Sequence, residues 1–230
     1  MAGERLRRIL AALSDGGEAW SSARLCGVCR EIVDVNGAGV MLMSGDLPRG
    51  SLCTTGEVSE LIEELQYTLG EGPCVDAYHQ DEVVSEPDLA DPVTVRWPAF
   101  TGPALRAGVR AIFGFPLRAG AVRLGTLDLY RDSPGPLTGG QHADALVMAD
   151  VLARWVLEAQ AGAPPDTVAG EIEAGADFHF AVHNAAGIVS VQESISVAEA
   201  LIRLRAFAFG SDRLLTDVAQ DIIARRLRLR

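Results

Sequence analysis

The residues best suited to chemistry in this chain are arginines close to its C-terminal end. A guanidinium group makes paired hydrogen bonds to phosphate oxygens and guanine edges, and its plane stacks on unpaired bases. Residues 201–230 hold seven arginines against three aspartates, a local net charge of +4. The composition therefore predicts contact with a polyanion, and the candidate contact residues are Arg203, Arg205, Arg213, Arg225 and Arg226.

Internal ion pairing is the alternative interpretation of these arginines. Asp217, Asp221 and Arg225 follow one another at intervals of four residues, which places them along one face of a helix. In that arrangement Arg225 pairs within its own helix instead of binding a ligand. The spacing alone leaves both interpretations open.

A second set of candidates lies at the end of the helix predicted before this basic segment. Amide and imidazole side chains hydrogen-bond to base edges, and a glycine lets a nucleic-acid backbone approach closely. This predicts nucleic-acid contacts from His183, Asn184, Gly187 and Gln192. Alternatively, Gly187 only relieves crowding where two helices cross. His179 and His183 lack a third ligand at a suitable spacing, so no metal site is predicted.

The rest of the composition excludes several classes of enzyme. The 230 residues carry a formal charge of −11, and all 20 basic side chains are arginine. A Walker-type phosphate loop, a Schiff-base enzyme, a protein kinase and a serine–lysine hydrolase each require a lysine amine, so a chain without lysine belongs to none of these classes. The sequence also has no nucleophile elbow and no paired-carboxylate spacing. It therefore predicts a protein that is not an enzyme and uses no cofactor.

The apolar stretches of the chain are short. None approaches the roughly 18 residues needed to span a bilayer, and no charged-then-apolar leader opens the sequence. We therefore expect a cytoplasmic protein without a membrane segment.

Cys26 and Cys29 form a C-x-x-C pair. One such pair cannot complete a tetrahedral zinc site, and both cysteines fall on one face of a helix-forming stretch. Buried thiols are therefore expected at both positions, rather than a metal ligand or a redox pair.

The composition changes near residue 162, where two prolines follow the preceding helix. This divides the chain into a body at 1–161, a linker at 162–166 and a tail at 167–230. Residues 46–49 and 70–73 of the body have the chemistry of turns. Helices are predicted over 4–13, 18–35, 58–67, 98–107 and 138–160, and strands over 39–43, 51–55, 83–84, 111–118 and 122–130. This order predicts an α+β fold in which helices flank an antiparallel sheet.

The tail has no strand pattern and is predicted to form an all-α three-helix bundle. A helical apolar stripe runs over 167–189. Ser196 followed by Glu199 is a capping box that opens the second helix. The sequence at 210–212 ends that helix and caps a third, whose buried face carries Leu215, Val218, Ile222 and Leu229.

These two halves resemble a GAF domain followed by an ANTAR domain, the RNA-binding module of bacterial antitermination regulators. On the GAF side the resemblance rests on Gly37-Ala38-Gly39-Val40, Gly70-Glu71-Gly72-Pro73-Cys74, Arg96-Trp97-Pro98 and Gly125-Thr126-Leu127-Asp128-Leu129-Tyr130. On the ANTAR side it rests on Ala185-Ala186-Gly187-Ile188-Val189, Gln192, Ala200-Leu201, Arg203-Leu204-Arg205, Ala208, Leu215 and Val218-Ala219. Many ANTAR modules carry a lysine where this chain has Ala186.

The resemblance implies a transcription antitermination regulator that takes part in signal transduction. Its tail would bind structured hairpin RNA, with Arg203 and Arg205 of the middle helix among the contacts. Its GAF-like body would sense a signal, such as a small-molecule ligand, or form a homodimer. The lysine-containing motif of cyclic-nucleotide GAF domains is absent, because the chain has no lysine.

Two other functions remain open. Residues 196–228 have the two-helix pattern of a helix-turn-helix that enters the major groove of DNA. The other alternative is a ligand-binding dimerisation module that binds no nucleic acid. In the body, a further choice concerns Asp76, Tyr78, His79 and Trp97, which either line a ligand pocket or pack in the core.

Overall fold

The computed structural model describes residues 2–14, 22–44, 47–91, 96–162, 181–211 and 213–229. The helices in these ranges are α1 (Ala2–Ser14), α2 (Ser22–Val33), α3 (Glu57–Leu69), α4 (Pro73–Gln80), α5 (Pro98–Arg106), α6 (Gly139–Gly162), α7 (Ala181–Glu193), α8 (Val197–Gly210) and α9 (Leu215–Ile223). The strands are β1 (Gly37–Ser44), β2 (Leu47–Thr54), β3 (Val84–Glu86), β4 (Ala111–Ala119) and β5 (Val122–Arg131).

The five strands form one antiparallel sheet in the order β2-β1-β5-β4-β3. Successive side chains of a strand point to opposite faces, and β1 shows this alternation. Val40 and Leu42 belong to the core on one face, whereas Met41 and Met43 belong to the core on the other. The predicted antiparallel sheet flanked by helices is confirmed.

The first face of the sheet is covered by α1, α2 and α6. Their apolar side chains, including Ile9, Leu25 and Leu152, pack against Val40 of β1 and Leu127 of β5. Each of these five side chains is fully buried. This core contains only residues of the body.

The second face of the sheet carries two cores. Helices α3, α4 and α5 pack toward β3 and β4 through residues such as Trp97 and Phe100. Nearer β1, a separate core joins Met41 and Tyr67 of the body to Leu204 and its neighbours in α7, α8 and α9. The tail helices and the body therefore share a buried interface, which the sequence did not predict.

The body departs from the predicted elements at two places. Residues 70–73 were predicted as a turn, but helix α4 begins at Pro73. Gly72 precedes it at a φ of 136°, and a proline is favourable in the first turn of a helix. The turn predicted at 46–49 extends too far, because β2 already begins at Leu47, and Asp46 lies outside the described residues.

The tail also departs from its predicted boundaries. The linker beyond Gly162 and residues 167–180 of the first predicted tail helix lie outside the described residues, whereas α7 continues past the predicted end at 189. The capping box at Ser196 is present as predicted and opens α8. Helix α9 ends at Ile223, so Leu229 is buried beyond the helix instead of on its face.

The expectation of a buried thiol at Cys26 is wrong. Cys26 of α2 forms a disulfide with Cys53 of β2, across a sequence separation of 27 residues. Helical periodicity identifies the buried face of α2 but not the strand beneath it. Cys29 is a buried thiol, as predicted, and burial raises its pKa well above the ordinary value.

By length and apolar composition, no single helix in the described ranges could cross a membrane. Helices α7 and α8 meet those criteria only when taken together, and the chain bends by 108° between them.

Candidate functional site

Three of the predicted RNA-binding arginines lie around the C-terminal end of α9. We call Arg213, Arg225 and Arg226 the C-terminal arginine cluster. Arg213 Nη2 lies 2.6 Å from Asp221 Oδ2, and Arg226 Nε lies 2.7 Å from Asp221 Oδ1. Both hydrogen bonds lower the pKa of Asp221, and the one from Arg213 has the larger effect. Two guanidinium groups share the one Asp221 carboxylate, and Arg225 adds a further exposed positive charge nearby in the chain.

Pairing of Arg225 along its own helix, one of the two interpretations that the spacing left open, is not what the structure shows. Arg225 follows the end of α9 in a left-handed conformation, with φ at 59°, so it leaves the face that carries Asp217 and Asp221. Asp221 binds Arg213 and Arg226 instead. Arg225 and Arg226 are both exposed to solvent.

The two arginines of α8 differ in their accessibility. Arg203 is 46% exposed and lies 3.8 Å from Glu193 at the end of α7. Arg205 is largely buried against α3, where Nη2 donates a hydrogen bond to the carbonyl oxygen of Tyr67. The Arg205 guanidinium also lies 5.8 Å from the centre of the Tyr67 ring, and its burial lowers its pKa. In this arrangement Arg205 serves the contact between body and tail.

The four candidate residues on α7 also differ in their exposure and contacts. His183 contacts the Tyr67 ring edge-on, with ring centres 6.3 Å apart. Asn184 and Gln192 are exposed. No described atom lies within 4 Å of a β-carbon built at Gly187, so helix crowding does not explain this glycine. Of the nine predicted contacts, six are exposed, His183 and Arg205 contact Tyr67, and Gly187 is half-buried.

A buried polar centre lies between α3, α4 and the sheet, and the sequence did not predict it. It consists of Glu63, Gln66, Cys74, Thr126 and Asp128, all buried. Gln66 Nε2 donates to Asp128 Oδ2 at 3.2 Å, and Gln66 Oε1 accepts from the backbone N–H of Cys74 at 2.7 Å.

Glycine in β1 makes room for the Glu63 carboxylate. A β-carbon at Gly39 would collide with Glu63 Oε1, so a larger residue there would displace the carboxylate. Glu63 and Asp128 are distant in sequence, and only the packing of α3 on the sheet brings them together. The one available signal was Gly39, whose small side chain marks a place of close approach.

The two carboxyl groups of this centre do not both ionise at neutral pH. Burial raises the pKa of Glu63 well above its usual range, and the neighbouring negative charge of Asp128 raises it further. Burial also raises the pKa of Asp128, to about 7. Burial also raises the pKa of the Cys74 thiol, and the negative charge of Asp128 raises it further. Glu63 and Cys74 therefore keep their protons at neutral pH, and the centre carries at most the one negative charge of Asp128.

This centre predicts that the protein loses stability as the pH rises. In the unfolded chain both carboxyl groups ionise above about pH 4.5, whereas in the folded protein they retain protons to higher pH. The folded state therefore binds more protons in that interval, and the free energy of unfolding falls with pH. Glu63→Gln should lessen this fall between pH 5 and 8, by about 1.4 kcal/mol for each unit of pKa elevation removed.

Urea unfolding at pH 5 and pH 8 measures this effect. Glu57→Gln is the control, because Glu57 is an exposed carboxylate on the same helix. Parallel pH profiles for the wild type and Glu63→Gln would contradict the account of the buried centre.

The Gly-Glu-Gly-Pro and Arg-Trp-Pro motifs hold the helices of the body together. Glu71 Oε1 accepts hydrogen bonds from the backbone N–H groups of Ala99 and Phe100, at the start of α5. Asp76 Oδ2 accepts from Trp97 Nε1 at 3.1 Å. Trp97 is buried in the core with Phe100, so Asp76 and Trp97 connect α4 to α5. The structure favours the core interpretation of these residues.

Fold and site together define a class of domain: an antiparallel sheet with a polar centre buried under short helices on one face. The model of the GAF domain family matches residues 23–153. The chain belongs to this family, whose domains occur in sensory and regulatory proteins. The tail helices α7, α8 and α9 lie outside the matched region.

Solved GAF domains share this fold. The GAF domain of an Acinetobacter phosphoenolpyruvate-protein phosphotransferase is 15% identical and superposes with a TM-score of 0.52, covering 70% of this chain and 96% of its own length. The GAF domain of the corresponding protein from Coxiella burnetii is also 15% identical, with a TM-score of 0.51, and covers 70% of this chain and 95% of its own length. At these identities the similarity concerns the fold alone. No curated protein matches the sequence.

Proposed function

We propose that this chain is a transcription antitermination regulator, with a GAF body that senses or dimerises and an ANTAR-like tail that binds hairpin RNA. Binding one RNA fold more tightly than its competitor shifts their populations, and a difference of about 1.4 kcal/mol shifts them tenfold. The tail can therefore stabilise a hairpin against a terminator without catalysing any reaction.

The observation that carries this proposal is the C-terminal arginine cluster. The chain as a whole has a charge of −11, which repels nucleic acid. Arg225 and Arg226 are nevertheless exposed beside Arg213, in a segment of net charge +4. A polyanion is thus drawn to one end of the molecule, and Asn184 and Gln192 of the neighbouring tail helix α7 are exposed to contact bases.

The position of these arginines favours RNA over duplex DNA. A helix-turn-helix protein reads the major groove with the N-terminal residues of its second helix. Helix α9 contains no arginine, and its first turn carries Asp217. Arg225 and Arg226 follow the end of the helix, where they suit the phosphates and splayed bases of a hairpin loop.

We further propose that the body pairs with a second copy through α1 and α6. A groove of about 370 Å³ lies along these helices and is lined by Leu6, Leu10 and Trp155. Arg154 and Glu158 line the same groove, so two copies related by a two-fold axis can match opposite charges. A dimer presents two tails to one RNA and raises its avidity.

Leu10→Asp is expected to convert this dimer to a monomer. Leu10 is partly exposed in the single chain, so the substitution places a charge in the dimer contact without disturbing the core. Sedimentation velocity measures the change in mass, with Leu61→Asp, on the exposed side of α3, as the control. A wild-type protein that is already monomeric would contradict the dimer.

Crosslinking in cell extract, followed by sequencing of the retained transcripts, tests RNA binding. The wild type is expected to retain transcripts that contain paired hairpins. Arg225→Gln together with Arg226→Gln should weaken binding to such a hairpin about tenfold. The negative slope of log affinity against log salt concentration should also become less steep by about 1.4, because two phosphate contacts are lost.

The matched control is Arg30→Gln together with Arg118→Gln, which removes two exposed arginines from the body. Equal losses in the two double variants would mean that charge acts without a specific site. Unchanged RNA binding in the Arg225 and Arg226 variant would remove the C-terminal arginine cluster from the proposal.

A further inference from the structure

A groove separates α3 of the body from α8 of the tail. It measures about 790 Å³, within the usual range for small-molecule sites. Leu65 and Leu69 line it from α3. Ile202, Phe209 and Leu214 line the other wall, and they are 62%, 71% and 67% exposed. Large apolar side chains that remain in water along one groove mark a place where an apolar group binds.

The same groove is positively charged. Arg205 and Arg213 belong to its lining. Arg205 uses Nη2 to bind the Tyr67 carbonyl, but its shielded Nε has no hydrogen-bond partner among the described residues. Among the described residues, Glu71 is the one acidic residue of the lining, and its Oε1 is already occupied by the backbone N–H groups that begin α5. An anion in the groove therefore meets the guanidinium groups of Arg205 and Arg213, the second of which also binds Asp221, and one satisfied carboxylate.

We propose that this groove binds a small apolar carboxylate, in which a single anionic group is attached to a hydrocarbon or aromatic body. The carboxylate contacts Arg205 and Arg213, since guanidinium groups pair with carboxylates in a bidentate manner. The hydrocarbon covers Phe209, Ile202 and Leu69, which removes their apolar surface from water.

Such a ligand stabilises the docking of the tail on the body. The walls of the groove come from both halves of the chain, so a ligand that touches both is bound only while α8 lies against α3. A ligand that binds the folded protein but not the unfolded chain also raises the melting temperature of the protein. The site does not depend on RNA binding by the tail.

Three probes with the same ten-carbon chain test the proposal on the full-length protein: sodium decanoate, 1-decanol and decyltrimethylammonium bromide. Isothermal titration calorimetry is performed below the micellar concentration of the two ionic probes and below the solubility limit of 1-decanol. Decanoate is expected to bind about tenfold more tightly than decanol, because hydrogen bonds to charged groups are stronger than neutral ones. The cationic probe is expected to bind most weakly.

Substitutions in the lining of the groove show whether the probes bind there. Arg213→Gln and Arg205→Gln should each reduce the affinity for decanoate toward that for decanol, and Phe209→Ser should weaken both. Arg213 and Phe209 are exposed, so their variants keep the test valid if Arg205→Gln does not fold. Arg154→Gln, in the groove between α1 and α6, is the control and should have no effect. Equal affinity for all three probes, no binding of decanoate, or a loss caused by Arg154→Gln would overturn the proposal.

Discussion

Replacing Gly125 with alanine is expected to destabilise the protein by about 3 kcal/mol or more. Gly125 lies in β5, directly opposite Leu42 of β1 in the middle of the sheet. A β-carbon at this position would collide with the carbonyl oxygen of Met41. Backbone atoms held in a strand ladder cannot move aside as a flexible side chain can, so β1 and β5 must separate.

Thermal unfolding followed by circular dichroism measures this effect. For a chain of this size, 1 kcal/mol changes the melting temperature by about 2–4 °C. Gly27→Ala is the matched control, because Gly27 lies in α2 and has open space around its β-carbon position. Alanine should stabilise that helix by about 0.5–1 kcal/mol. A Gly125→Ala protein as stable as the wild type would contradict the close approach of the two strands.

Leu204→Ala is expected to cost about 2–5 kcal/mol, the usual range for a cavity at a fully buried leucine. Leu204 of α8 lies in the core that joins the tail helices to Met41 and Tyr67 of the body. Because this core is shared, the loss should destabilise the body as well as the tail.

Tryptophan fluorescence separates the two halves in this experiment. All three tryptophans precede residue 160, so their fluorescence reports on the body alone. The unfolding transition followed by tryptophan fluorescence is expected to shift together with the loss of helix followed by circular dichroism. Ile202→Ala is the control, since Ile202 is exposed on the same helix and its loss should change stability by at most about 0.5 kcal/mol. An unchanged fluorescence transition in Leu204→Ala would show that the tail and body unfold separately.

Local sequence signals predicted the elements of the body well. The capping box at Ser196 depends only on residues three apart, so the start of α8 could be read directly. Alternating and helical apolar patterns likewise predicted β4, β5 and α6. Helix α4 was missed because Gly72 and Pro73 favour a turn, although proline is equally suited to the first turn of a helix.

Features that depend on distant contacts could not be predicted. The bond between Cys26 and Cys53 joins a helix to a strand. Glu63 reaches Asp128 because α3 packs on the sheet, and neither residue has a local pattern that reveals this contact. The docking of Arg205 on Tyr67 has the same origin. A family resemblance indicated Arg205 as an RNA contact, whereas in the folded chain its guanidinium holds the tail against the body.

The most direct test of the proposed function compares the binding of the full-length protein to a hairpin RNA with its binding to duplex DNA of the same sequence. The hairpin is taken from the transcripts retained by crosslinking, and affinity is measured over a series of salt concentrations. We predict tighter binding to the RNA hairpin, with affinity that falls steeply as salt increases. Tighter binding to the duplex, or no binding to either nucleic acid, would contradict RNA recognition by the tail.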